Sequence, residues 1–258
     1  MTGLRSFAVS LAPVLVLIAM WEGVARSGLL TPFLLPAFSV VIGRIWEDLL
    51  SGSLASAMAL TTARALSGFS IAAVLGVSLG IVMAVSGAMR WFFDPIVSVG
   101  FPTPKIAFLP IIVLWLGLND ASVVAITALS PFFIIAINSH AGASGVDKQL
   151  LWAARSLGSK PGELMREIIL PAATPQILTG LQIALPTAMI ATLVSEMLTG
   201  VGGLGGQLLD AQRYADSPGL FAGVVEIAFV GTVLIRGVAF GRRRLLCWHS
   251  EGRAGATA

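Results

Sequence analysis

Residues 142–145 read Gly-Ala-Ser-Gly, with His140 one helical turn before Ser144, which are the residue types of a serine nucleophile beside a base. A nucleophilic serine needs that base within hydrogen-bond reach on an element that fixes both groups. The other histidine, His249, follows Arg242-Arg243-Arg244 near the C-terminus, so an intramembrane serine protease would need a second base from elsewhere. Gly200, Gly202 and Gly205 spell G-x-G-x-x-G, the pattern of a phosphate-cradling turn, but they follow a long apolar run rather than a strand, and we read them as an outer loop. No G-x-x-x-x-G-K-[ST] run occurs, so this chain does not bind ATP through a P-loop. One cysteine, Cys247, and two histidines make neither a disulfide framework nor a zinc site, and no metal is expected. The remaining chemistry lies in ionisable residues among apolar ones: Glu22, Arg64, Lys105, Glu196, Glu226 and Arg236. Charges at membrane depth are costly and usually functional, marking an ion site, a path or a pair.

The elements that hold these residues are membrane spans. Of 258 residues, 56% are hydrophobic and 11% charged, against about 45–50% and 25% in soluble domains. Apolar runs interrupted by Gly, Pro and charge give spans near 7–25, 60–86, 95–118, 121–140, 177–199 and 219–240. The first has no small-x-small cleavage site before Arg26 and is expected to be retained rather than removed as a signal peptide. With both termini in the cytoplasm, ten Lys or Arg (Arg5, Arg90, Lys148, Arg155, Lys160, Arg166, Arg242, Arg243, Arg244, Arg253) fall inside. Three (Arg26, Arg44, Arg213) fall outside, which satisfies the positive-inside rule and requires an even number of crossings. The net charge of +3 therefore reports topology and not nucleic-acid binding. The expected architecture is an all-α polytopic membrane bundle of six transmembrane helices in one domain, 1–258, with a cytoplasmic loop over 147–175.

Within the spans, Ala72, Gly76, Gly80 and Ala84 form a small-xxx-small stripe, expected to serve internal helix packing rather than a dimer interface. Pro95, Pro102, Pro104 and Pro110 break the third segment around Lys105, which membrane depth tolerates only beside protein or a wet cavity. Glu22, Arg64 and Arg236 lie near span ends, where long side chains snorkel. Glu196 and Lys105 lie deeper. We assign Glu196 first to a structural or gating role and second to the translocation path, and Lys105 to the path. A secondary transporter or channel not driven by ATP would use the same charges, although the six spans show no inverted repeat.

The 147–175 loop is neither a span nor a disordered linker. Asp147 is an N-cap for a short helix carrying Leu150, Leu151, Ala154 and Leu157, which Gly158 terminates. A second helix opens around Ser159 to Pro161, carries Glu163 in its first turn, and is expected to end before Pro171. Apolar residues flanked by basic ones outside the bilayer suit docking of a soluble partner.

The run Trp152-Ala153-Ala154, three residues, Gly158, nine residues, then Ile168-x-Leu170-Pro171 resembles the EAA loop of type I ABC importer permeases with its spacing intact. The likeness spans nearly the whole chain. FPTPKIAFLPIIVLWLGL (101–118), INSHAGASGVD (137–147), the Ser195-Glu196-Met197 to Leu208 stretch, and the arginine-rich tail with Trp248 resemble the sulfonate, taurine and nitrate subgroup. One departure is Trp152, which replaces the glutamate that names the loop. The resemblance implies a bacterial inner-membrane permease with no cofactor of its own, ATP and Mg²⁺ being held by cytoplasmic ATPase subunits. Those subunits would receive Ala153, Ala154, Arg155, Gly158, Ile168, Leu170 and Pro171. It further implies a second permease copy or similar chain and an external solute-binding protein. At Gly158 a Cβ would hold the loop off the partner backbone. The subgroup's cargoes include organic sulfonates, nitrate, bicarbonate and vitamin precursors, with a small anion expected here; homodimer and heterodimer both remain open.

Overall fold

A computed structural model describes the backbone of residues 2–246 and the side-chain environment of 12–246. Cys247, Trp248, His249 and Arg253, which entered the sequence reading, lie outside the described residues, as does the side-chain environment of Arg5. The described chain is helical. Helix α1 is Thr2–Arg26, α2 Phe38–Leu50, α3 Ser53–Val85, α4 Gly87–Gly100, α5 Leu109–Leu116 and α6 Asp120–Ser144. There follow α7 Lys148–Ser156, the short turn α8 Pro161–Glu163, α9 Leu170–Thr199, α10 Gly203–Arg213 and α11 Ser217–Leu245.

Among the described residues four helices are long and apolar enough to cross a bilayer: α3, α6, the continuous run Pro161–Thr199, and α11. A fifth crossing is available if α4 and Lys105–Leu116, bent by 95°, are taken as one broken span. At 25 residues α1 has the length of a sixth.

Among the boundaries that differ from the sequence reading, two bear on the site. The third segment opens at Gly87 rather than near 95, because Ser86 accepts from the Met89 N–H and caps a helix across what was read as a loop. The helix after Pro161 also does not end before Pro171. A π-helical turn over Leu164–Ile169 hands over to α9 at Leu170, so Pro171, which has no N–H to donate, falls where the hydrogen-bond register changes. The expected loop over 147–175 is therefore a nine-residue helix, a turn, and the first turns of a 39-residue helix.

The core is the packing of α3, α6 and α9. Gly68, Ala72, Gly76 and Gly80 line one face of α3, all buried. A Cβ at Gly76 would lie 2.9 Å from the Phe132 carbonyl oxygen and 3.0 Å from Ile135 Cβ on α6. The small-residue stripe thus serves internal packing, as expected, because close backbone approach supplies van der Waals contact where lipid gives no hydrophobic drive. On the other side of α6, Gly180 of α9 faces the Asn138 side chain.

Candidate functional site

At one end of the bundle, four stretches far apart in sequence meet at Glu196. Its side chain is fully buried, and it accepts from Arg64 Nη1 at 2.8 Å, Thr61 Oγ1 at 2.9 Å and the Gly205 N–H at 3.0 Å. Arg64, 4% exposed, spends all five guanidinium donors. They reach Glu196, the Val201 and Gly202 carbonyls, and Asp120 Oδ1 twice, from Nη2 at 2.5 Å and Nε at 3.1 Å. Thr61 in turn accepts from the Leu204 N–H at 2.8 Å. A buried charge is tolerated when paired and hydrogen-bonded throughout, and this one is. The arrangement ties the glycine-rich stretch to α3, α6 and α9.

That stretch is only partly a loop. Gly200, Gly202 and Gly203 have φ of +68°, +81° and +80°, which turns the chain sharply out of α9, and Gly203 to Gly206 already belong to α10. A Cβ on Gly203 or Gly205 would overlap Glu196, so the glycines permit the carboxylate contact. Glu196 is therefore closed off from solvent in this conformation. Arg64 corrects the sequence reading: it does not snorkel but is buried and paired. Glu22 does stay at a helix end, paired with Arg26 at 2.6 Å, and Arg236 is exposed.

Lys105 lies elsewhere. It follows Pro104 at the bend, donates to the Phe101 carbonyl, and rests 5.1 Å from the centre of the Phe133 ring. It lines a cavity of about 340 Å³ between the proline bend, α6 and α9, together with Thr103, Ser130, Thr187, Ile190 and Val194. The Thr103 hydroxyl donates to the Val99 carbonyl of α4, and the Ser130 and Thr187 hydroxyls each donate to a backbone carbonyl of their own helix. The N–H groups of Lys105 are then the cationic donors of a cavity that, among the described residues, no other charged side chain lines. The structure does not bring Lys105 and Glu196 together.

At the opposite end of the bundle from Glu196, Asp147 accepts from the Gln149 N–H and starts α7 as expected. The helix closes with the Ser159 N–H on the Ala154 carbonyl and the Gly158 N–H on the Arg155 carbonyl. Gly158 has φ +91°, and together these make a Schellman motif. The glycine is thus required by its own backbone, whereas a Cβ there would meet nothing within 4 Å in this chain. Glu163 accepts from the Lys160 N–H to start the next helix. Leu151 and Ala154 are half-buried, while Leu150, Trp152, Ala153, Arg155 and Leu157 face outward, Leu157 being 88% exposed. Ile168 and Leu170 are half-buried and Pro171 exposed on the following helix. The expected loop residues divide among α7, its Gly158 cap, the π turn that holds Ile168, and the start of α9. His140 and Ser144 do approach, at 3.4 Å, but both are on α6, and among the described residues no third group hydrogen-bonds the imidazole.

Relatives share this chain over nearly its whole length. The aliphatic sulfonates transport permease SsuC of Bacillus subtilis is 32% identical over 92% of this chain and 86% of its own. The taurine transport system permease TauC of Escherichia coli is 29% identical over 96% and 92%. The formylaminopyrimidine transport permease ThiX of Halalkalibacterium halodurans is 30% identical over 92% and 94%. Among solved structures, an amino acid ABC transporter chain aligns over 77% of this chain and 95% of its own with TM-score 0.59 and 22% identity. The inward-facing MetNI methionine ABC transporter aligns with TM-score 0.54 over 74% and 96%. These two share the fold. Residues 72–245, the stretch that carries the α3–α6 stripe, Lys105, the α7 helix and Glu196, match the binding-protein-dependent transport system inner membrane component, and the chain belongs to that family of ABC importer permeases.

Proposed function

We propose that this permease imports a small organic anion of the sulfonate class and is driven through its α7 helix by cytoplasmic ATPase subunits that carry ATP and Mg²⁺. The observation that carries the docking half is the geometry of α7. A capped nine-residue helix, locked by a left-handed Gly158, presents Leu150, Trp152 and Leu157 outside the spans, with Ala153 and Arg155 beside them. An exposed apolar patch on a rigid projection fits a groove on another protein. The anion half is supported by Lys105 as the cation of its cavity and by the sulfonate and taurine relatives. The permease acts as a pair, with itself or with a similar chain. An external solute-binding protein delivers the cargo at the Glu196 end, both termini lie in the cytoplasm, and lipid surrounds the bundle. ATP binding moves the equilibrium between inward-open and outward-open states only through contacts that differ between them, and α7 is where those contacts are made.

The test is a tagged pull-down from solubilised membranes, wild type beside Gly158→Trp, with mass spectrometry of the retained proteins. Co-purification of a P-loop ATPase that the variant loses, while the variant still inserts in the membrane, is the expected result. Wild-type ATPase retention and wild-type uptake in the variant would overturn the docking assignment.

A further inference from the structure

Lys105 stands at the junction of two cavities, and the cargo assignment above uses one of them. The cavity of about 340 Å³ between the proline bend, α6 and α9 adjoins another of about 570 Å³ between α4, the bend and α6. Lys105 and Thr103 are the residues that line both. The walls of the larger cavity are Ile96 and Val99 of α4, Phe108 at the end of the bend, and Leu129 and Phe133 of α6. The Phe133 ring packs directly on the Gly100 backbone, where a Cβ would overlap it. The Lys105 Nζ lies 5.1 Å from the Phe133 ring centre and 5.7 Å from that of Phe101. One of its three N–H donors goes to the Phe101 carbonyl, which leaves two for a ligand.

The chemistry on the two sides of that ammonium differs. In the smaller cavity Ser130 and Thr187 accompany it, whereas the larger one is walled by hydrocarbon and aromatic rings. Among the described residues that line either cavity there is no Asp or Glu. A ligand held by Lys105 therefore places its anionic group at the junction, and apolar chain is what the larger cavity accepts. An ammonium on that chain would meet no carboxylate and would stand near the Lys105 charge, the costly case of a buried charge without a partner. The rings give it no refuge, because Phe101 and Phe133 already face Lys105.

We propose that the larger cavity is a tail site: the sulfonate head meets Lys105, its alkyl chain enters between α4 and α6, and cargo with an ammonium on that chain is rejected. This rests on the placement of an organic anion at Lys105 made above and deepens it. Each methylene buried in the tail site should tighten binding by up to about fourfold, so chain length is what the site reads.

The experiment is isothermal titration of the permease in lipid nanodiscs with whatever subunits accompany it, with no external binding protein and with the heats of empty nanodiscs subtracted. The ligands are sodium ethanesulfonate, propanesulfonate and hexanesulfonate, and 2-aminoethanesulfonate, which has an ammonium where propanesulfonate has its methyl. Hexanesulfonate should bind at least tenfold tighter than ethanesulfonate, and propanesulfonate at least tenfold tighter than 2-aminoethanesulfonate. Val99 and Ile96 are 70% and 50% exposed, so an indole at either position enters the cavity without breaking core packing. Val99→Trp should cut the hexanesulfonate-to-ethanesulfonate ratio to threefold or less, and Ile96→Trp is the reporter if Val99→Trp fails to fold. Equal affinity for the short and long chains, 2-aminoethanesulfonate binding as tightly as propanesulfonate, or the full ratio kept in a folded tryptophan variant would overturn the tail site and leave the anion at Lys105 standing. Saturable binding of none of the four would remove the anion assignment at Lys105, and the tail site with it.

Discussion

Removing the Glu196 carboxylate should cost far more than removing the Asp120 carboxylate, although both bind the same guanidinium. In Glu196→Ala the side chains of Arg64 and Thr61 and the Gly205 N–H all lose an acceptor inside a fully buried site. Breaking a buried ion pair from one side costs about 3–5 kcal/mol, because the remaining charge stays buried without compensation. Asp120 is 68% exposed at its side chain, so water replaces much of what Asp120→Asn removes, and the loss is at most about 1 kcal/mol. Glu196→Gln falls between. Its amide oxygen can still accept, but its NH₂ must face at least one of the three donors, a mismatch of about 1.5–3 kcal/mol. At roughly 2–4 °C per kcal/mol for a chain of this size, Glu196→Ala should lower Tm by about 6–20 °C and Asp120→Asn by no more than about 4 °C. The assay is thermal unfolding of the purified permease in one detergent, followed by tryptophan fluorescence, with uptake measured in parallel in vesicles. If Glu196→Ala unfolds within about 2 °C of Asp120→Asn, the buried clamp is wrong. If uptake is unchanged in Glu196→Gln, the network is structural and plays no part in gating.

The α3 stripe and the Lys105 cavity give two more expectations. Gly76→Val should destabilise by about 1–3 kcal/mol, since the new atoms meet the Phe132 carbonyl and Ile135 of α6 rather than a movable side-chain end; Gly237→Ala, where a Cβ meets nothing within 4 Å, should leave Tm unchanged or raise it, and thermal unfolding of the pair checks both. Lys105→Gln should reduce uptake of an organic sulfonate at least tenfold with Lys105→Arg retaining part of it, read as initial rates in vesicles, while ATPase retention in a pull-down stays at the wild-type level.

The sequence made the membrane class, most span positions and the α7 helix legible because each depends on local pattern. Apolar length marks a span, and the interval from Asp147 to Gly158 marks a capped helix, whatever the rest of the chain does. Arg64 was illegible for the opposite reason. Its partners lie 132 residues away at Glu196 and 56 residues away at Asp120, and nothing local to Arg64 tells a paired buried arginine from one that snorkels at a span end. The glycine-rich stretch after Thr199 was a usable signal: three left-handed glycines beside an intramembrane glutamate imply that something backbone-sized approaches that carboxylate. The helix past Pro171 was missed because proline normally stops a helix, and only a change of hydrogen-bond register makes it harmless there. No periodicity in the sequence announces a π turn.

That π turn joins the two ends of the proposed machine. Pro161 to Thr199 is one continuous helix, so the helix that follows α7 is also the one that presents Glu196 to Arg64. A rigid rod transmits a push along its length, but the angle between its two ends depends on every residue between them. The π turn contributes one residue more than α-helical geometry would use over the same stretch. Deleting one of its residues would restore an α register and leave that angle nearly unchanged, whereas deleting Gly162, in the α-helical turn ahead of it, should rotate α7 by about 100° around the axis relative to Glu196. The Glu196 network and the α3–α6 packing are untouched by the deletion, so Tm should fall by no more than about 4 °C, the effect of about 1 kcal/mol. Coupling should fail all the same: ATPase activity in reconstituted vesicles persists or becomes independent of the external binding protein, while substrate uptake drops at least tenfold. Wild-type uptake in this variant would mean that α7 does not act through the orientation of α9, and the lever argument would have to be abandoned.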